Sequence, residues 1–143
     1  MVHTGDDPGF ALVEALAAAL DADDFATVHD LLAEDCTYEI DGERHEGPDA
    51  VVASYRAGSA RCRRLFDGVE FGHELLDGAA EHTRRVRYTD RLRAGDEVFL
   101  HLTDQDITVD PRAGITRILD RPVPGERARL DDFMARHGIS RTG

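Results

Sequence analysis

Read for the spacing of its apolar positions, the chain divides into three helical stretches, a run of strands and a closing helix. Val13, Leu16 and Leu20 recur at helical spacing after Asp7-Pro8. That pair suits a helix start, because proline lacks an N–H that the first turn leaves unbonded anyway. Asp21-Ala22-Asp23 breaks the pattern, and Asp23 or Asp24 is placed to cap a second helix carrying Phe25, Val28, Leu31 and Leu32 on one face. Cys36 to Ile40 alternates as a strand, Asp41-Gly42 turns, and Glu43 to Glu46 returns. Gly47-Pro48-Asp49 opens a third helix with Val51, Val52, Tyr55, Cys62 and Leu65 facing inward. From Val69 onward the period is two. Val69 to Leu75, His82 to Leu92, Glu97 to Val109 and Ile115 to Leu119 read as strands, with turns at Asp77-Gly78 and Ala94-Gly95. Gly125 to His137 reads as a last helix with Leu130, Phe133 and Met134 on one face and Gly138 as its stop. This order predicts one α+β domain over residues 1–143, with flexible ends at 1–6 and 139–143.

Turns fix register, and register fixes faces. A turn at Ala94-Gly95 pairs Asp90 with Phe99, Tyr88 with His101, Val86 with Thr103 and Arg84 with Gln105. A turn near Asp77 to Ala80 sets His73 near Arg84. One face then carries Val69, Phe71, His73, Leu75, His82, Arg84, Val86, Tyr88, Asp90, Leu92, Phe99, His101, Thr103 and Gln105. The other carries Glu70, Glu74, Arg85, Arg87, Arg91, Val98, Leu100 and Leu102. The first face holds aromatics, which the helices must cover. The polar groups among them need partners once buried, so the pattern predicts a lined cavity there. The apolar stripe of the second face predicts a homodimer through the outer sheet face.

Composition narrows the function classes. The net charge is −12, and all 17 basic residues are arginine; aspartate outnumbers glutamate by 19 to 10. Such a field repels nucleic acid and anionic lipid, so neither is expected as a partner. Arg61, Arg63 and Arg64 read as a solvated helix end. No apolar run approaches a membrane span, and Met1 to Gly9 lacks the pattern of a signal peptide. Cys36 and Cys62 are expected as buried thiols in a reducing cytoplasm. The lysine-free, aspartate-rich composition fits either high salt or a GC-rich genome.

Ala18-Ala19-Leu20-Asp21-Ala22-Asp23-Asp24-Phe25, followed by Leu31-Leu32-Ala33-Glu34-Asp35-Cys36-Thr37-Tyr38, resembles the opening of the SnoaL-like and nuclear transport factor 2-like superfamily. Gly47-Pro48-Asp49-Ala50-Val51 resembles its third helix start, and Ala113-Gly114-Ile115-Thr116-Arg117-Ile118 its late strand. The resemblance implies a cystatin-like cone. It implies a curved, mixed, mostly antiparallel sheet wrapped around three N-terminal helices to enclose a conical pocket, with a helix at the C-terminus and frequent dimers. It does not fix an activity, because this fold hosts isomerases, dehydratases, cyclases, epoxide hydrolases and binders. The acid–base groups of ketosteroid isomerases fall at Leu16, Ile40 and Gln105 and are absent. Of the Asp-Arg-Asp set of limonene epoxide hydrolases, Asp90 and Asp120 match, while Tyr88 stands where the arginine would be. Of the scytalone dehydratase pattern, Asp21 matches, and Phe66 or Asp67 stands nearest its histidine.

The remaining chemical cluster is His101, Asp90 and Tyr88. An aspartate beside a histidine raises its pKa and fixes its tautomer, and a tyrosine hydroxyl can donate to a developing oxyanion. These three are the candidate catalytic residues, with His101 as acid/base and Asp90 as its orienter. Arg84, Gln105, Tyr38, Tyr55 and Phe99 are the candidate ligand contacts. The lining is expected to be near neutral, with Arg84 opposing Asp90. His73, His82 and His101 lack metal spacing, so no metal or cofactor is expected. The candidate function is binding of a small, partly apolar molecule, with cofactor-free isomerisation, dehydration or cyclisation. The alternatives are a binding or dimerisation module without catalysis, and an epoxide-hydrolase-like activity using Asp90 and Asp120.

Overall fold

The structure is a computed structural model that describes residues 8–77 and 80–141. Expectations for Asp7, for the Asp77-Gly78 turn at Gly78, and for ends 1–6 and 142–143 lie outside those residues. Two helices, α1 (Pro8–Asp21) and α2 (Phe25–Leu31), lead into β1 (Leu32–Ile40) and β2 (Glu43–Glu46). Next come α3 (Pro48–Leu65), β3 (Gly68–Leu76), β4 (Thr83–Ala94), β5 (Glu97–Asp110), β6 (Gly114–Pro122) and α4 (Glu126–Arg136). The six strands form one sheet in the order β2-β1-β6-β5-β4-β3. Among the described residues only the β1–β6 pairing is parallel; the others are antiparallel. No helix among the described residues is long and apolar enough to cross a membrane.

The helices form where the pattern predicts. Val13, Leu16 and Ala17 are fully buried at i, i+3 and i+4 along α1. Asp24 caps α2, its Oδ1 accepting the Thr27 N–H at 3.2 Å and its Oδ2 accepting the Thr27 hydroxyl at 2.7 Å. Asp23 does not cap. It sits at φ 54, and its carboxylate accepts Ser59 Oγ at 2.9 Å and Arg63 Nε at 3.0 Å, tying α1 to α3. Leu32 belongs to β1 rather than to the second helix. Gly114 opens β6 at φ +106, where a Cβ would lie 2.8 Å from the Leu31 carbonyl oxygen. Only glycine allows the strand to pass that close to the end of α2.

Register differs from the expectation, yet the faces survive. Ala94 pairs with Glu97 around a Gly95-Asp96 loop, so Asp90 faces His101, Tyr88 faces Thr103 and Val86 faces Gln105. His73 pairs with Tyr88 rather than lying near Arg84. The slips are two and four residues, and an even slip keeps each side chain on its own face. His82 is the exception. It lies before β4 at φ 63 with an exposed side chain, not inward on a strand.

Two apolar clusters fill the inner face. Leu16, Val28, Val51, Val86, Ile107 and Ile118 pack the first, under α1, α2 and α3. Phe66, Leu92, Phe99, Leu130, Phe133 and Met134 pack the second, under α4. The outer face is laced by charge. Arg85 grips Asp106 through Nε at 2.7 Å and Nη2 at 3.0 Å, and Arg87 grips Asp104 at 2.8 and 2.9 Å. Arg121 also reaches Asp106 at 3.0 Å. Both aspartates are buried beneath their arginines, an arrangement that satisfies carboxylates lying on a sheet surface.

Candidate active site

Between the sheet and the helices lies a cavity of about 610 Å³. Its wall takes Tyr38 from β1, Tyr55 and Cys62 from α3, Phe71 from β3, Tyr88 and Asp90 from β4, His101, Thr103 and Gln105 from β5, and Asp120 from β6. Asp21, at the end of α1, and Leu130 and Met134 of α4 close it. Alternation explains the strand contributions. Tyr88 and Asp90 stand two apart on β4, and His101, Thr103 and Gln105 at every second position on β5, so each set faces one side.

Of the residues expected at the site, His101, Asp90, Tyr88, Gln105, Tyr38 and Tyr55 line this cavity. Arg84 does not. It shares the inner face, but its register partner is Ile107, beyond the cavity, and its Nη1 donates to the Thr83 carbonyl at 3.1 Å. Phe99 lies in the second apolar cluster, its ring centroid 5.2 Å from that of Phe133. Nor is the lining near neutral. It holds six carboxyl residues, Asp21, Asp23, Asp41, Glu43, Asp90 and Asp120, against Arg61 and Arg141.

Tyr38, Tyr55 and Gln105 form a rigid corner. Tyr55 donates its hydroxyl to Gln105 Oε1 at 2.9 Å, and Gln105 Nε2 donates to the Tyr38 hydroxyl at 3.0 Å. The two rings stack at 4.7 Å between centroids. Burial pushes both tyrosines above their ordinary range. Beside them, burial pushes Asp120 up to about 6, with Gln105 opposing the shift and Asp41 reinforcing it. Its Oδ1 is buried without a hydrogen-bond partner.

Asp90 occupies the middle of the wall. Burial, reinforced by the Asp21 carboxylate, raises it to about 6. Tyr88 is raised by burial, and its hydroxyl has no partner. Burial likewise raises the Cys62 thiol, half-buried in the wall, to about 11. His101 is held below the usual imidazole range by burial, with Glu126 opposing. Its Nδ1 lies 3.7 Å from Glu126 Oε1 and makes no hydrogen bond. Asp90 and His101 face each other across the ladder, but no hydrogen bond joins them; the carboxylate beside His101 is Glu126.

Sequence patterns did not expose two further groups. Glu126 is buried in the first turn of α4, where its Oε1 accepts the Leu102 N–H at 2.8 Å and Arg129 holds its Oε2. His73 bridges two acids of α1, with Nδ1 2.6 Å from Asp21 Oδ2 and Nε2 3.0 Å from Glu14 Oε1. Burial opposes its charge, but the two hydrogen bonds prevail and its pKa is raised. One Asp21 oxygen thus holds His73, and the other is buried and unpartnered. A spacing rule cannot find either pair, because the partners lie 52 and 25 residues apart. Among the described residues, no group of three or more His, Cys, Asp or Glu is arranged to hold a metal.

No family model matches the chain, and no curated protein matches it. Solved structures do. An LEH-like epoxide hydrolase of Mycobacterium tuberculosis is 25% identical with a TM-score of 0.62, over 90% of this chain and 93% of that one. A protein named as a SnoaL-like polyketide cyclase from Shewanella denitrificans is 14% identical with a TM-score of 0.64, over 87% and 97%. An NTF2-like protein of unknown function from an Exiguobacterium species is 14% identical with a TM-score of 0.62, over 79% and 98%. The fold is thus the NTF2-like cone that SnoaL-like proteins share.

Proposed function

We propose that the chain binds a small, partly apolar carbonyl compound in the cone and turns it over by cofactor-free proton transfer. The observation that carries this is Asp90, a carboxyl set in the cavity wall with no hydrogen bond of its own and a pKa of about 6. A base poised near neutrality and free of partners is what abstraction of a proton beside a carbonyl needs. One Asp90 oxygen takes that proton, the electron pair moves onto the carbonyl oxygen, and the unpartnered Tyr88 hydroxyl donates to the resulting enolate. Returning the proton to another carbon gives isomerisation. Loss of a β-hydroxyl as water, protonated by the Asp90 carboxyl that has just taken the α-proton, gives dehydration.

The exchange half of this reaction can be watched without knowing the natural substrate. In D2O, the protein should speed deuterium uptake at the α-carbon of 2-tetralone, read by NMR; no acceleration above buffer for any of a set of aryl ketones would sink the reading. Asp120 supports a second reading. Two carboxyls raised to about 6 in one cavity could activate water and protonate an epoxide, as a likeness to an LEH-like epoxide hydrolase suggests. Diol formation from styrene oxide in the same assay would favour it over enolisation.

The reading includes a homodimer through the outer face. Val98 and Leu100 are exposed there, 38% and 50%, beside the arginine–aspartate ladder. Light scattering at micromolar concentration should give twice the chain mass, and Leu100→Glu should halve it; a wild-type monomer would end this part. The free thiols Cys36 and Cys62 fit a reducing compartment such as the cytoplasm.

A further inference from the structure

The cavity is built for one sign of charge. Among the described residues six carboxyl residues line it against two arginines; Asp131 holds Arg141, Arg63 holds Asp23 and His73 holds Asp21, which leaves Asp41, Glu43, Asp90 and Asp120 against Arg61. Two carboxylate oxygens, Asp21 Oδ1 and Asp120 Oδ1, are buried without a donor, and so is the Tyr88 hydroxyl. An ionised carboxylate only accepts hydrogen bonds, and leaving one unmatched away from water is costly unless a donor arrives. His73 holds the other oxygen of Asp21 and Gln105 bonds the Asp120 carboxylate, so each group has one oxygen left for a donor from within the cavity.

The end of the cavity nearest the β1–β2 turn offers more than charge. Asp120 and Asp41 both act electrostatically on Tyr38, and Asp120 also acts on Tyr55. The rings of Tyr38 and Tyr55 are stacked and locked by Gln105, so they present fixed aromatic surface beside a carboxylate with one oxygen unpartnered. Aromatic faces and a carboxylate together are the chemistry that recognises an organic ammonium group. We infer that the ligand of this cavity carries a protonated amine, held by Asp120 against Tyr38 and Tyr55, with an apolar body reaching toward Phe71 and Leu92. The inference rests on reading the cone as a ligand site; it does not require turnover.

Three probes with one apolar body isolate the charge: 4-phenylbutylamine, 4-phenylbutanol and 4-phenylbutyrate, each titrated calorimetrically into the full chain at pH 7.5. The amine should bind about tenfold or more tighter than the alcohol, as a charge-assisted hydrogen bond in a sheltered site provides, and the carboxylate weakest. Asp120→Asn should erase most of the amine's advantage while leaving alcohol binding unchanged, which also shows that the variant is folded. Equal affinities for amine and alcohol, or a preference for the carboxylate, would overturn the ammonium inference and leave the ligand pocket standing. Loss of the preference in Asp90→Asn but not in Asp120→Asn would overturn the placement. No binding of any probe would count against the pocket reading itself, and the inference would fall with it.

Discussion

Replacing Asp90 by Asn lowers proton-exchange turnover by about 10²–10⁴-fold, the usual worth of a positioned general base, while making the protein more stable at pH 8. The two effects share one cause. In the folded chain, burial and the Asp21 carboxylate hold Asp90 at about 6 against an ordinary 3.8. A folded-state pKa above the unfolded one means that the native state binds the proton more tightly. Its contribution to stability is therefore full below the unfolded pKa and is lost as pH rises through about 6. Asparagine keeps the shape and removes the charge, so it regains about 1–3 kcal/mol at pH 8 and little at pH 4. Activity runs the other way. The wild-type rate climbs through pH 6 as the base ionises, then levels. Urea denaturation at the two pH values and the exchange rate across pH 5–8 check both halves. A variant that is destabilised at pH 8, or that exchanges as fast as wild type, would make Asp90 a structural group.

That coupling shows why faces were legible in the sequence and interactions were not. Strand alternation placed Tyr88, Asp90, His101 and Gln105 together because parity survives an even slip of register. Hairpin loop position decides the slip, and Ala94-Gly95-Asp96 allows turns differing by one residue, which moves each pairing by two. Hence Tyr88 meets Thr103 and Asp90 meets His101. The sequence also carried the apolar spacing of α1 and the Asp24 cap. It did not carry His73 with Asp21 and Glu14, nor Glu126 with Leu102 and His101. Those bonds depend on where a helix end lands on a curved sheet. Arg84 shows the converse: its face was right, but the cavity stops short of Ile107, its neighbour on β5. The acids that join Asp90 in the lining, Asp21, Asp23, Asp41, Glu43 and Asp120, are what turn the interior acidic, and they change the expected ligand.

Phe133→Ala destabilises the chain by about 3–5 kcal/mol, a large share of the roughly 5–15 kcal/mol typical of a domain. Phe133 is fully buried at the centre of the second apolar cluster, with ring centroids 5.2 Å from Phe99, 6.3 Å from Phe66 and 4.7 Å from His137. Polar bonds from Glu126 to Leu102 and from Arg136 and His137 to Glu97 also tie α4 to β5, but they do not fill the space beneath it, so truncation leaves a cavity. The loss reaches the site by a specific route. Helix α4 carries Glu126, which holds the Leu102 N–H beside His101, and Leu130 and Met134, which close the cavity. Loosening it frees the Glu126 carboxylate to move away from His101 and admits water to one end of the cone. Phe133→Leu keeps most of the volume and should cost less than half as much. Urea midpoints give the stability order. A fall in the slope of the transition alongside the midpoint would show α4 already detached in the variant's native state. A loss under 1 kcal/mol for alanine would mean that α4 merely caps the sheet and that the cavity keeps its shape without it.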